Sequence, residues 1–144
     1  MNPLKIRDAQ VKDLDALADL CNQLGYPVGT EEVRLRLSEI NRLAHHKVYL
    51  AETDQAVVGW IHIYLCPLLI SSLQAQLGGL IVHSDYRGSG VGQSLMHQAE
   101  IWARENGCSL LSIFTNIVRA ETHEFYDHLG YQVVKTEFVM QKDL

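Results

Sequence analysis

Arg87-Gly88-Ser89-Gly90-Val91-Gly92 places three glycines within five positions, shortly after the apolar Leu80, Ile81 and Val82 and just before a helical pattern. Glycine has no Cβ, so such a loop turns tightly and lets a ligand approach the main chain. The helix that follows offers unpaired N–H groups and the positive end of its dipole. Together these suit a phosphate or pyrophosphate. Two familiar phosphate loops do not fit. A Walker A loop ends Gly-Lys-Ser/Thr, whereas Gln93 follows Gly92 here. A dinucleotide fingerprint is G-x-G-x-x-G with an acidic residue about 20 positions on. This loop runs G-x-G-x-G, and the next strand-like stretch, residues 110–115, ends without a carboxylate.

Other residues could move protons or hold a ligand. Asn116 follows that stretch, then Ala120, then Phe125-Tyr126-Asp127-His128-Leu129-Gly130-Tyr131. Phe125 and Leu129 stand i,i+4 on a helix, with Tyr126 displaced around it, where a phenol either packs or donates. His62 lies in an alternating run; an unperturbed imidazole, with a pKa of about 6.5, suits proton transfer, although a strand histidine also packs. Asn116 can order a ligand or form a turn, and Arg87 can meet a phosphate or pair with Asp85. The seven histidines contain no H-E-x-x-H, and the five-residue step from His123 to His128 puts the rings on different faces, so no metal site is expected. His45-His46 reads as solvent-facing.

The elements that must position these residues follow from periodicity. Residues 4–7 read as a first strand. Leu14, Leu17, Ala18, Cys21 and Leu24 give a helix its buried stripe. Thr30 reads as an N-cap, with Glu31 and Glu32 behind it and Val33, Leu37 and Ile40 facing inward. Residues 48–52 and 57–65 read as paired strands, the second with Trp60, His62 and Tyr64 opposite Ile61 and Ile63. Residues 74–82 form another strand, where Gly78-Gly79 suggests a bulge. Val91, Leu95, Ala99 and Trp102 line a helix that Asn106-Gly107 ends. Residues 110–115 read as a central strand, 120–129 as a helix stopped by Gly130, and 131–141 as one or two last strands.

Arg-x-x-Gly-x-Gly after a buried strand, followed by the Asn116, Ala120 and F-Y-x-x-L-G-Y segment, resembles the GCN5-related N-acetyltransferase (GNAT) superfamily. The Leu4-Lys5-Ile6-Arg7 opening and its following helix extend the likeness over nearly the whole chain. The resemblance implies an α/β fold: one domain over residues 1–144, a mixed central sheet flanked by helices, with a splayed acetyl-CoA cleft. It implies that Leu80, Ile81 and Val82 pair with the pantetheine arm, that Arg87, Gly88, Ser89, Gly90, Val91 and Gly92 hold the pyrophosphate, and that Asn116 orders the cofactor. Tyr126 would be the general acid at the sulfur. Many relatives carry a glutamate base where Gln76 stands, and an amide cannot take that proton. The base is then His62, Glu52, Glu124 or a water chain, with His62 the leading candidate, or the enzyme selects neutral amine and needs none.

The bulk properties bound the rest. One domain suits 144 residues at 47% apolar and 20% charged. No apolar stretch reaches membrane-spanning length, and Met1-Asn2-Pro3-Leu4-Lys5 is not shaped like a signal peptide. Cys21, Cys66 and Cys108 form no C-x-x-C, which points to free thiols and a cytoplasmic protein. A net charge of −5 without a basic tract argues against nucleic acid and tilts toward a small cationic amine as acceptor. Acetylation of a protein or peptide amine and non-catalytic acyl-CoA binding are the alternatives. A homodimer joined through the final strand is compatible with the pattern.

Overall fold

A computed structural model describes residues 3–23 and 25–144; Leu24, assigned above to the first helix's stripe, lies outside them, as do Met1 and Asn2. The elements are β1 (Lys5–Asp8), α1 (Leu14–Gln23), α2 (Thr30–Arg42), β2 (His46–Glu52), β3 (Val57–Cys66), β4 (Gln74–Val82), α3 (Val91–Glu105), β5 (Leu111–Ser112) and α4 (Ala120–His128). Met1–Ile113 and Phe114–Leu144 are two compact units. The first holds all five strands, in sequence order, as one mixed sheet: β1 to β4 are antiparallel and β5 runs parallel to β4. A parallel return needs a crossover, which α3 supplies.

β3 alternates as its sequence predicts. Ile61, Ile63 and Leu65 are buried, while Trp60, His62 and Tyr64 on the opposite face are half-buried. The Trp60 face belongs to a core built from Leu14 and Leu17 of α1, Leu37 of α2, and Val48 and Leu50 of β2. On the Ile61 face α3 packs close: a Cβ on Gly59 would stand 3.1 Å from Leu95 and 3.2 Å from Val91. Val91, Leu95, Ala99 and Trp102 are buried as expected, joined by Met96 and Ala103.

Arg7 ties the start of the sheet together. Its guanidinium donates to both oxygens of Asp13, at 2.9 and 2.7 Å, and to both oxygens of Glu52, at 2.9 and 3.1 Å. Glu52 was one candidate base. Arg7 instead holds its carboxyl below the usual range, so it is committed to this network.

Three expectations are corrected. Residues 110–115 are not a central strand: only Leu111–Ser112 pairs, at the sheet edge, because the ladder with β4 stops at Gln76↔Ser112. Residues 131–141 form no strand among the described residues, and Val133, Val134, Phe138, Val139 and Met140 are 82–98% exposed. β propensity supplies apolar side chains but no ladder partner for the main chain. Thr30 is the first helical residue, and Gly29 takes the cap, its N–H donating to Glu32 at 3.2 Å.

Candidate active site

The glycine loop is built as a cradle. Gly88 and Gly90 have φ of +77° and +90°, in the left-handed region, with nothing within 4 Å of where a Cβ would stand. Backbone conformation, not crowding, requires glycine at both. Gly90 is the N-cap of α3 and its carbonyl accepts from Ser94 N–H at 3.0 Å. Ser89 Oγ donates to the Tyr86 carbonyl, pinning the loop's entry. Residues 87–90 are exposed, and the first turn of α3 carries no acid to neutralise the dipole's positive end. Arg87 makes no ion pair with Asp85. Asp85 turns to His83, its N–H donating to Nδ1 at 3.1 Å.

β4 leads into this loop with one main-chain edge open. Leu77 and residues 79–82 pair with β3, yet their other side has no β5 partner beyond Gln76↔Ser112. The ladder between the two parallel strands ends there, and Leu80, Ile81 and Val82 lie beyond its end. The predicted bulge is present: His62 pairs with Gly79 and Ile63 with Leu77, so Gly78 is the extra residue.

His62 sits across from that bulge. Its Nε2 stands 2.9 Å from Nδ1 of His46, and the His46 ring stacks on both His62 and Tyr64, centroids 5.2 and 5.0 Å apart. Burial, helped by His46, pushes the His62 pKa down to about 4, so the ring is neutral at neutral pH. Gln76 faces Tyr64 across the ladder, and its buried Nε2 has no hydrogen-bond partner among the described residues. His46 corrects an expectation, since it is half-buried and engaged rather than solvent-facing. The signal was available: residues 46, 48 and 50 alternate together, so extending the strand two residues earlier places His46 on the Val48 face.

In the second unit, Asn116 Oδ1 accepts from Val118 N–H at 3.0 Å, and His123 Nε2 lies 3.0 Å from the Asn116 carbonyl. The side chain thus shapes the turn into α4. Tyr126 contacts Phe125 and Tyr131 edge-on at 5.0 and 6.0 Å. Burial pushes its pKa up to about 12, which keeps the hydroxyl a donor throughout the neutral range. Glu124, another candidate base, is exposed on the same helix.

The acetyltransferase (GNAT) family model matches residues 12–131. An aminoalkylphosphonate N-acetyltransferase of Salmonella typhimurium is 29% identical, over 89% of this chain and 84% of its own length. An aminoglycoside N(6')-acetyltransferase type 1 of Acinetobacter baumannii is 26% identical, over 100% of this chain and 99% of its own. Among solved structures, an aminoglycoside N-acetyltransferase in complex with CoA superposes with a TM-score of 0.89 at 19% identity, covering 100% of this chain and 97% of that one. The chain belongs to the GNAT family. It is an N-acetyltransferase, and acetyl-CoA is its donor.

The residues present fit that donor: an open strand edge for amide groups leads to an exposed, dipole-facing loop for phosphates. Among the described residues no group of three or more His, Cys, Asp or Glu could hold a metal ion, and no helix is long and apolar enough to cross a membrane.

Proposed function

We propose that the protein acetylates the primary amine of a small cationic molecule by direct attack on the bound thioester. The observation that carries this reading is the freed edge of β4 running into the exposed loop at the start of α3. The relatives named for aminoalkylphosphonate and aminoglycoside acetylation support a small-molecule acceptor, as does the net charge of −5.

When bound, acetyl-CoA supplies the carbonyl to be attacked and the thiolate that leaves. Main-chain groups of Leu80, Ile81 and Val82 hold its pantetheine arm in strand fashion. The amides of Gly88, Ser89, Gly90, Val91 and Gly92 hold the pyrophosphate, with Arg87 free to add a charge. Asn116 orders the turn beside the cofactor. Tyr126 donates to the departing sulfur. With a pKa near 12 against about 8.5 for a thiol, it acts chiefly as a hydrogen-bond donor to developing charge. His62 serves the acceptor side, because Gln76 offers no base there.

The chain works as one domain in the cytoplasm; free Cys21, Cys66 and Cys108 support a reducing compartment. It self-associates through residues 131–144, whose exposed apolar side chains support burial against a second copy.

The test is thiol release from acetyl-CoA across aminoalkylphosphonates, aminoglycosides, polyamines, amino acids and short peptides. Turnover with a small amine is expected. Turnover with peptides alone would move the acceptor to a protein amine. Silence with acetyl-CoA bound would leave a binding module.

A further inference from the structure

We propose that His83 is a positioning residue, acting on acetyl-CoA through the main chain of the glycine loop. The inference rests on the reading that the amides of residues 88–92 hold the pyrophosphate, and it names what holds those amides in place. Packing does not. Residues 87–90 are exposed, and nothing lies within 4 Å of the Cβ positions of Gly88 and Gly90. Two glycines without such neighbours leave the segment free to take other conformations.

Hydrogen bonds act where packing is missing, and they form a bracket from the sheet to the loop. His83 N–H donates at 2.8 Å to the carbonyl of Val58, a fully buried residue of β3. Tyr86 N–H donates to the His83 carbonyl at 2.9 Å, and Ser89 Oγ donates to the Tyr86 carbonyl. Inside this bracket His83 Nδ1 accepts from Asp85 N–H at 3.1 Å, and the ring meets Tyr86 edge-on at 5.7 Å. The imidazole thus caps the short turn, Ser84–Tyr86, that leads from β4 to Arg87. Ser84 and Asp85 are exposed, so without the cap the Asp85 N–H turns to water and the bracket loosens at its middle.

Nδ1 must be bare to accept, so the His83 ring rests as the Nε2–H tautomer. What the turn requires is an acceptor two residues before the Asp85 N–H, and a ring is one way to supply it. Asparagine supplies another, because its side-chain oxygen bonds the backbone two residues on. Phenylalanine keeps an edge against Tyr86 and supplies none. One net hydrogen bond biases a conformational equilibrium about tenfold. Apparent affinity falls with the fraction of chains that hold the binding shape. The loss therefore lies in donor binding, with kcat at saturating acetyl-CoA unchanged.

Calorimetry of acetyl-CoA binding to the full chain tests this with no acceptor present. His83→Phe is expected to weaken binding about 10-fold, whereas His83→Asn should stay within about 3-fold of the unmodified protein. Ser89→Ala releases the far end of the bracket, so the double variant His83→Phe with Ser89→Ala should lose less than the product of the two single losses. Undiminished affinity in His83→Phe, an equal loss in His83→Asn, or losses that multiply in full would each overturn the proposal. Nitrogen-15 NMR of the unmodified chain should find His83 protonated at Nε2 and bare at Nδ1; the reverse tautomer overturns it as well. Gly90→Val separates this inference from the reading beneath it. If that variant binds acetyl-CoA normally, the cradle itself falls; if it loses binding while His83→Phe keeps it, only the role of His83 falls.

Discussion

The ring of His62 lies against the backbone of Gly78, so close that a β-carbon there would stand 2.6 Å from Nδ1, 3.0 Å from Cγ and 3.1 Å from Cε1. The ring is held from its other side by His46. Gly78→Ala must therefore push the imidazole off its position. Misplacing a reacting group by about 1 Å can cost up to roughly 10²-fold. The expected outcome is a kcat loss of that order with acetyl-CoA affinity retained, read from steady-state kinetics and calorimetry together. Unaltered kcat would mean that this ring position is idle.

Gly90→Val tests the loop. A β-branched residue is strained at φ +90°, yet it meets no neighbour. The fold should lose only about 1–2 kcal/mol, a few degrees in melting temperature. Because relief of the strain turns the amides away, acetyl-CoA binding should disappear. Wild-type affinity measured by calorimetry would sink the cradle.

Tyr126→Phe removes a hydroxyl and keeps the edge contacts with Phe125 and Tyr131. The kcat should fall about 10²-fold while acetyl-CoA affinity changes little. Since burial holds the hydroxyl near pKa 12, it should impose no basic limb on kcat below about pH 11. Full activity in the variant would return Tyr126 to packing.

Stability should fall on acidification in two windows. His62 titrates near 4 in the fold against 6.5 unperturbed. The unfolded chain therefore binds the proton first, and stability is lost as pH drops from about 6.5 toward 4. Glu52 is lowered by Arg7, and Asp13, despite the opposing effect of its burial, is lowered by the same partner. Their contribution is present above the ordinary carboxylate range and is lost as pH falls through their lower folded values. Denaturant midpoints from pH 8 to 3 check both, and His62→Gln should flatten only the upper window. At pH 7, Asp13→Asn leaves Arg7 with Glu52 as its remaining carboxylate and should cost about 1–3 kcal/mol; an unmoved melting temperature would count against the network.

The C-terminal residues should hold two chains together. Light scattering of the full chain should give twice the monomer mass. Phe138→Asp with Met140→Asp, both sites now 90–98% exposed, should give monomers that remain folded. A wild-type monomer at micromolar concentration would refute the assignment.

Much of this molecule is written in local sequence. Alternation in β3 set its buried and half-buried faces, the 91–102 stripe set the buried side of α3, and Gly88 and Gly90 announced positive φ. Such signals are legible because each depends on a residue and its near neighbours. The committed carboxyl of Glu52 is different, since it depends on Arg7, a partner 45 residues away read only from coordinates. Residues 110–115 and 131–141 have β-forming side chains, but a strand also requires a second main chain to pair with. Leu111 and Ser112 found one in β4; the tail found none among the described residues. His46 shows the same division most sharply. Its chemistry was visible from the residue type, whereas its 2.9 Å approach to His62 arises from the register of β2 against β3. Local sequence determined which groups could act; long-range pairing decided which of them meet.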